Sequence, residues 1–335
     1  MTKPSIVFVD DEPNLLSGLR RLTRGHADKW DMAFLASAEE ALKFLAQAPV
    51  HLLISDMRMP GMDGAELMEK ISETSPGIVC FALSGETDAQ RAIRVVGKSH
   101  RFLAKPIDPD TLLNSIDTLF ASGGVSLEEN RKRNTSVFDI LKSAPGRLHA
   151  LETLLARPEP DGIAINAQIM ADPSLSTRVL QIANSAYFGK PLATCNLPRA
   201  ISSIGLARLT QLLARGRLGT EQAQAEGAAD AYRLHAMAAV MAREQAEATN
   251  KSAELQDLAY AIALLCGIGA GVDDGGQTCL SRPGCIATVF GLPQVLAHGL
   301  SRYDGGGCTN MDEVEMAASA LAIAAEVLVE AKVAA

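Results

Sequence analysis

The sequence lacks the features of membrane and secreted proteins. No apolar run approaches the roughly 20 residues that a membrane-spanning helix requires, and no basic and then apolar signal precedes Asp10. The six cysteines form no CxxC pair and are sparse for a disulfide framework in a chain of 335 residues. We therefore expect a cytoplasmic protein that does not enter a membrane and whose thiols are reduced and mostly buried.

Clustered positive charge is also scarce. The formal net charge is −8, the sequence pI is about 5.3, and the one basic cluster is Arg131, Lys132 and Arg133, in a predicted linker. Binding to nucleic-acid phosphates requires basic side chains clustered on one face. We therefore expect no nucleic-acid partner, and interpretation as a transcription factor is disfavoured.

Length and apolar content predict two folded units. A chain of 335 residues with 47% hydrophobic residues can bury two separate cores. In the first part, short apolar runs alternate with segments of helical periodicity, which predicts an α/β fold with a doubly wound five-stranded parallel sheet. The predicted strands are residues 5–9, 32–36, 50–54, 78–83 and 100–104. The predicted helices begin near Pro13, Ser37, Gly64, Thr87 and Asp108.

Acidic residues, a serine and a lysine follow the predicted strands. Asp10 and Asp11 end the first strand, and Asp56 ends the third within SDMRMPGMDG. Ser84 and Lys105 end the fourth and fifth strands. Each alone is explained as an ordinary turn residue, but the carboxyl ends of parallel strands meet at one edge of a sheet. Crowded carboxylates need a cation among them, and oxygen-only ligands suit Mg²⁺, so the set predicts a pocket for a phosphoryl group.

This set of residues resembles the receiver domain of two-component response regulators over residues 1 to about 121. The resemblance implies a flavodoxin-like receiver in which Asp56 accepts a phosphoryl group from a sensor histidine kinase. It also implies that Asp11, Asp56 and the backbone carbonyl of Arg58 ligate Mg²⁺. Asp10 would hold the ion through water.

The resemblance further implies how phosphorylation changes the domain. Ser84 and Lys105 would sense the phosphoryl group by moving toward it, and Phe102 would swing inward as Ser84 leaves space. Phe102 is equally well interpreted as an ordinary core residue. The bond before Pro106 is a candidate cis peptide. The signalling face would comprise the fourth helix, the fifth strand and the fifth helix, and a homodimer through the receiver is left open.

The composition changes after residue 121. Ser122, Gly123 and Gly124 end the pattern of the first domain, and residues 126–135 are polar and charged. We therefore place the domains at 1–121 and 136–335, with a linker at 122–135. Residues 127–133 either extend the last helix or form a solvated connector, and a short helix is slightly favoured.

Helical periodicity dominates from Val137 onward, which predicts an all-α second domain. Predicted helices cover residues 162–170, 228–248, 252–266 and 311–331, and others begin at Asp172–Pro173 and Leu197–Pro198. The strings IMADPSLSTRVLQIANSAYFGKP and LPRAISSIGLARL resemble the HDOD domain, an all-helical relative of the HD phosphohydrolases. The resemblance is strong to about residue 213, and the C-terminal half is divergent. Asn184 and Ser185 are interpreted as structural residues that satisfy backbone groups at a helix end.

The metal site of HD hydrolases is incomplete in this domain. Those enzymes use a histidine, an adjacent His-Asp pair and a further Asp. His235 takes the first position, but Cys266 and Gly267 stand where the pair should be. Glycine has no ligating group, so we predict a non-enzymatic output domain without catalytic residues. A zinc site formed by Cys266, Cys279 and Cys285 lacks the usual ligand spacing.

Together these patterns predict a phosphorylation-dependent response regulator. The implied partners are a sensor histidine kinase and a downstream signalling protein, whose contacts change when Asp56 is phosphorylated. The rival interpretation is an HD-GYP-type cyclic-di-GMP phosphodiesterase, active or degenerate, or a regulator of cyclic-di-GMP turnover. Residues 301–305 faintly resemble the HD-GYP motif, but Gly299 and Leu300 stand where that motif needs histidines.

Overall fold

The structure is a computed structural model that describes most of the chain. The described residues are 3–85, 93–133, 136–188, 191–221, 228–268, 282–304 and 313–334. The chain divides into two units, each with its own core. One comprises Met1–Val137 and Ser185–Lys190, and the other comprises Phe138–Asn184 and Pro191–Ala335. No helix among the described residues is both long and apolar enough to cross a membrane.

The first unit contains a five-stranded parallel sheet. Its strands are β1 (Ser5–Val9), β2 (Asp31–Leu35), β3 (Leu52–Asp56), β4 (Val79–Ser84) and β5 (Arg101–Ala104). Their order is β2-β1-β3-β4-β5, and every neighbouring pair is parallel. The predicted doubly wound sheet is therefore confirmed, with strand bounds that differ from the prediction by at most two residues. The strand order reverses between β1 and β3, which is where such sheets place their ligand sites.

Helices connect these strands. They are α1 (Pro13–Thr23), followed by a 3₁₀ turn at Arg24–His26, α2 (Ala38–Leu45), α3 (Gly64–Thr74) and α4 (Pro109–Arg133). The start of α2 shows the predicted cap, because the Ser37 hydroxyl accepts a hydrogen bond from the Glu40 N–H over 3.2 Å. The helix predicted to begin at Thr87 starts outside the described residues.

The predicted linker is largely helical. Helix α4 runs without a break from Pro109 to Arg133, so the glycines at 123 and 124 do not end it. Glycine costs a helix only about 1 kcal/mol relative to alanine, and the residues on both sides favour helix. The preference for a helix over residues 127–133 is confirmed, although the helix continues from the receiver rather than forming separately.

Gly64 is required by a close approach of backbone segments. A Cβ at this position would lie 2.0 Å from the Asp56 carbonyl oxygen, whereas a Cβ at Gly18 would meet nothing within 4 Å. The first residue of α3 is therefore packed against the end of the strand that carries Asp56.

We expect Gly64→Ala to lower the free energy of unfolding of the first unit by about 1–3 kcal/mol, the usual cost of overpacking. Gly18→Ala, in α1, is the matched control and should raise it by up to about 1 kcal/mol. Urea unfolding followed by tryptophan fluorescence measures both, because the single tryptophan, Trp30, is buried in this unit. Equal stability of the two variants would contradict the close approach.

The second unit is built from helices. From the division between the units onward they are α5 (Val137–Ile140), α6 (Arg147–Leu155), α7 (Gly162–Met170), α8 (Pro173–Ala183), α9 (Leu197–Ile204), α10 (Leu206–Ala214), α11 (Ala228–Ala248), α12 (Ala253–Leu265), α13 (Pro283–Val289), α14 (Gln294–Asp304) and α15 (Glu313–Ala334). Two residue pairs also form a short parallel ladder that was not predicted, β6 (Lys142–Ser143) with β7 (Thr220–Glu221). The helical character of the second domain is confirmed.

Helix α8 lies at the centre of this unit, because all of its residues are buried. It begins at the predicted position, where the buried Asp172 accepts hydrogen bonds from the Leu175 N–H (2.9 Å) and the Ala144 N–H (3.0 Å). At its other end, the Asn184 side chain exchanges two hydrogen bonds with the Thr194 backbone. Asn184 therefore has the structural role predicted for it.

The cysteines only partly match the expectation of reduced thiols. Cys80 and Cys195 are free thiols, but Cys285 is disulfide-bonded. The expectation was wrong for Cys285, because sequence spacing alone does not show which cysteines form a disulfide.

Candidate functional site

The ends of β1, β3 and β5 bring two carboxylates and one amine together. Asp10 follows β1, Asp56 is the last residue of β3, and Lys105 follows β5. The Lys105 Nζ lies 2.8 Å from the Asp10 Oδ2 and 2.5 Å from the Asp56 Oδ1. Because β1 and β3 are neighbours, the sheet itself positions the two acids, and Lys105 reaches them from two strands away.

Both carboxylates are buried and accept a backbone hydrogen bond. Asp10 is 0% exposed and Asp56 is 5% exposed. The Glu12 N–H donates to the Asp10 Oδ1 over 2.9 Å, and the Arg58 N–H donates to the Asp56 Oδ2 over 2.7 Å. Buried charges need such partners, so the turns that follow β1 and β3 hold the carboxylates in defined positions.

Burial and ion pairing shift the pKa values of Asp56 and Lys105 in opposite directions. Burial raises the pKa of Asp56 above its ordinary value, and the hydrogen bonds from Lys105 and Arg58 only partly offset this effect. Burial alone would lower the pKa of Lys105, but the hydrogen bonds and charges of Asp10 and Asp56 outweigh it and raise that pKa. Lys105 is therefore a firmly protonated ammonium group that lies between two buried acids.

The other predicted site residues also lie at this edge of the sheet. Ser84 is buried at the end of β4, and its hydroxyl donates to the Gly85 carbonyl oxygen over 3.1 Å. Asp11 is half-buried directly after β1. The peptide bond between Lys105 and Pro106 is cis. The sheet therefore gathers the predicted set, while the role of each member stays a prediction.

Two carboxylates suffice for the type of ion that was predicted. Within the described part of the chain, no three acidic, histidine or cysteine side chains form a ready metal-binding group. Mg²⁺ does not require one, because it keeps several waters and is commonly held by one or two carboxylates. Asp10 and Asp56 are two buried carboxylates that already share one cationic partner. Their oxygens therefore fit a hydrated divalent cation.

In the second unit, the side chain of His235 packs against Gly267. His235 is buried on α11, and its Nδ1 lies 3.1 Å from the Ala263 carbonyl oxygen. Burial lowers the pKa of His235. A Cβ at Gly267 would lie 2.8 Å from the His235 ring and 3.0 Å from the Pro173 Cγ. Glycine at position 267 thus leaves room for the His235 ring. The zinc site considered from Cys266, Cys279 and Cys285 cannot be described, because Cys279 lies outside the described residues.

Two protein families match separate parts of the chain. Residues 6–117 match the family described as response regulator receiver domain, and residues 141–272 match the family described as HDOD domain. The chain therefore contains a receiver domain followed by an HDOD domain. The architecture predicted from the residue patterns is therefore confirmed.

Curated relatives match part of the chain. The hydrogenase transcriptional regulatory protein HoxA of Cupriavidus necator is 30% identical over 38% of this chain and 26% of its own length. The transcriptional regulatory protein GlrR of Escherichia coli strain K12 is 30% identical over 50% of this chain and 36% of its own length. The chain thus spans only about a quarter to a third of these relatives, so their activities are not assigned to it.

Solved structures also resemble the receiver domain. A signal receiver domain of an HD domain-containing protein from Pseudomonas fluorescens Pf-5 is 31% identical, with 33% of this chain and 90% of that chain covered and a TM-score of 0.32. A response regulator receiver protein from Pseudomonas putida is 27% identical, with 35% and 98% covered and a TM-score of 0.33. With TM-scores below 0.5, these likenesses add nothing on function.

One neighbour of the receiver's β5 was not predicted. Tyr187 is buried, its ring centroid lies 4.7 Å from that of Phe102, and its hydroxyl donates to the Ser99 carbonyl oxygen over 2.8 Å. The sequence feature that could have drawn attention to this contact is the aromatic pair Tyr187–Phe188, which lies between two helices. Nothing in that pair indicates which surface it covers, since contacts between residues far apart in sequence depend on the tertiary fold.

Proposed function

We propose that this chain is a phosphorylation-dependent response regulator in which Asp56 accepts a phosphoryl group from a sensor histidine kinase. The observation that carries the proposal is the pairing of Lys105 with both Asp10 and Asp56 at the carboxyl edge of the sheet. A positioned carboxylate is a nucleophile, and a fixed ammonium group beside it stabilises the charge of the incoming phosphoryl oxygens. The receiver match over residues 6–117 supports this chemistry.

The transfer itself requires one attacking oxygen on Asp56. The Asp56 Oδ2 is held by the Arg58 N–H, and the Oδ1 faces Lys105. One carboxylate oxygen attacks the phosphorus, the phosphorus–nitrogen bond to the kinase histidine breaks, and the imidazole leaves with that electron pair. Lys105 then pairs with the phosphoryl oxygens, and the Ser84 hydroxyl turns from the Gly85 carbonyl oxygen to donate to them.

A magnesium ion is part of the proposal, because receiver domains generally bind one at the phosphorylation site. Asp10, Asp11, Asp56 and the backbone carbonyl of Arg58 would hold it. The ion supplies charge neutralisation between the carboxylate and the phosphoryl group. Asp10 and Asp56, which already converge on Lys105, orient the oxygens that this chemistry needs.

Removal of divalent cations is expected to prevent phosphorylation. We expect radiolabelled acetyl phosphate to label the purified chain in the presence of Mg²⁺. The label should fall to background with a chelator, because two buried carboxylates otherwise repel the phosphoryl anion. Renewed addition of Mg²⁺ should restore the label. Labelling that continues undiminished under chelation would contradict the metal assignment.

We infer that the HDOD domain acts through protein contacts rather than through catalysis. The packing of His235 against Gly267 supports this inference, because a ligating side chain at position 267 would clash with the His235 ring. A pull-down with phosphorylated wild-type chain and with Asp56→Ala should enrich a downstream protein in only one of the two samples. Turnover of cyclic-di-GMP that is lost in His235→Ala would contradict a non-enzymatic output.

A further inference from the structure

A short segment of the HDOD sequence belongs to the unit that contains the receiver. The HDOD match covers residues 141–272, yet Ser185–Lys190 falls within the first unit together with Met1–Val137. The segment lies in sequence between α8 and α9. We call its described residues, 185–188, the docked segment.

The docked segment contacts β5 through both its backbone and its aromatic side chain. The Ala186 N–H donates to the Phe102 carbonyl oxygen over 3.0 Å, and the Tyr187 and Phe102 rings lie 4.7 Å apart with 30° between their planes. The Tyr187 hydroxyl donates to the Ser99 carbonyl oxygen and lies 2.8 Å from the Ser99 Oγ. Because β5 is at the edge of the sheet, its outer backbone groups are available to such a segment.

Hydrogen bonds join the residues that precede the docked segment to residues that follow it. The Asn184 Nδ2 donates to the Thr194 carbonyl oxygen over 2.9 Å, and the Thr194 N–H donates to the Asn184 Oδ1 over 2.7 Å. The Leu192 N–H donates to the Ala183 carbonyl oxygen over 3.1 Å. A displacement of Tyr187 would therefore be transmitted along a few residues to the end of α8.

The same strand leads to the proposed phosphorylation site. Strand β5 has four residues, Arg101–Ala104, and Lys105 follows directly. The Lys105 N–H donates to the Ser84 carbonyl oxygen over 2.7 Å, while its Nζ binds Asp10 and Asp56. The position of Phe102 is thus coupled to the pairing of Lys105 through three residues of one short strand.

A phosphoryl group on Asp56 changes that pairing. It brings about −1.5 to −2 charges and new acceptor oxygens, so Lys105 would leave its arrangement between the two carboxylates and would draw the end of β5 with it. The Phe102 ring and carbonyl oxygen, which the docked segment contacts, would then shift relative to Ser99.

We propose that the docked segment is a phosphorylation-sensitive latch, held on Phe102 and Ser99 while Lys105 pairs with Asp10 and Asp56 and released when Asp56 is phosphorylated. The switching step rests on the proposed function, whereas the docking itself does not. Release frees the edge of β5 and loosens the connection to α8. Coupling is reciprocal, so removal of the Tyr187 contacts should in turn favour phosphorylation.

Hydrogen–deuterium exchange on the full chain tests the latch. In the wild-type chain, we expect the Ala186 amide to exchange about tenfold faster after phosphorylation with acetyl phosphate and Mg²⁺. Tyr187→Phe keeps the ring but loses the hydroxyl, so it should speed exchange about two- to tenfold without phosphorylation. The matched control is Tyr232→Phe, which removes another buried hydroxyl, bonded to the Lys142 carbonyl oxygen, and should leave this amide unchanged.

The outcomes separate the latch from the proposed function. Intact mass in the same samples shows whether the chain carries a phosphoryl group, and its absence from Asp56→Asn assigns that group to Asp56. Unchanged exchange at Ala186 in labelled protein would overturn the switching step, and unchanged exchange in Tyr187→Phe would overturn the docking. Absence of label in the wild type would overturn the proposed function and with it the switching step, while the Tyr187→Phe comparison would still decide the docking. Trp30 fluorescence shows that the first unit is folded in each variant, and far-UV circular dichroism does the same for the helical second unit, which contains Tyr232.

Discussion

Substitution of Asp56 by asparagine is expected to abolish phosphoryl labelling by acetyl phosphate in the presence of Mg²⁺. Asparagine matches the shape of aspartate but offers a neutral amide in place of a nucleophilic carboxylate oxygen. Because Asp56 is the carboxylate that faces both Lys105 and the Arg58 N–H, no neighbouring acid occupies the same position. The label, measured on intact protein, should fall to the background level of a sample without phosphodonor.

The control for this experiment is Asp31→Asn, the same change at an exposed position at the start of β2. It should keep full labelling. Label that persists on Asp56→Asn, or that is lost equally from Asp31→Asn, would contradict the assignment of Asp56 as the phosphoacceptor.

Loss of label from Asp56→Asn should not reflect unfolding. Burial raises the pKa of Asp56 in the folded chain, so the folded state binds this proton more tightly than the unfolded state does. The contribution of Asp56 to stability therefore falls as the pH rises from the ordinary carboxyl range through the raised pKa. Asparagine lacks this dependence. We expect the variant to be at least as stable as the wild type at pH 7.

Lys105→Met is expected to lower the free energy of unfolding of the first unit by about 3–5 kcal/mol at pH 7, the typical cost of removing one partner from a buried ion pair. The substitution leaves Asp10 and Asp56 buried side by side without their shared cation. Urea unfolding followed by Trp30 fluorescence measures the change within this unit. Lys70→Met, an exposed substitution on α3, should change the stability by less than about 0.5 kcal/mol.

The effect of Lys105→Met should depend on pH in a defined direction. The pKa of Lys105 is raised in the folded chain, so its stabilising contribution is complete below its unfolded pKa and is lost as the pH rises through the raised value. Toward acid pH, protonation neutralises Asp56, whose pKa is raised by burial, and the difference between variant and wild type should shrink. A difference that stays constant from pH 7 down to pH 4 would contradict the shared ion pair.

Much of the first unit could be predicted from residue patterns because its strands are short apolar runs bounded by turn residues. A strand that is buried on both faces must be apolar throughout, as in residues 52–54. Since the topology of a parallel sheet brings strand ends together, Asp10, Asp56 and Lys105 could be expected at one edge. The helix N-cap at Asp172 could also be predicted, because capping depends on residues that are close in sequence.

Contacts between segments far apart in sequence could not be predicted in this way. The pattern placed a linker after residue 121, but helix α4 continues to Arg133, because local glycine cost is small compared with the cooperative extension of a long helix. The absence of a ligand at Gly267 was visible, yet the packing of the His235 ring against it was not.

The sequence by itself determined the strand and helix order, the acidic and basic residues at the strand ends and the incomplete HD motif, because each of these depends on local composition and short spacing. Only the tertiary structure decided that Lys105 lies between Asp10 and Asp56 rather than beside one of them. It also decided that Tyr187 covers Phe102. Both are contacts between residues about 50 to 100 positions apart, and their geometry is set by how whole elements pack.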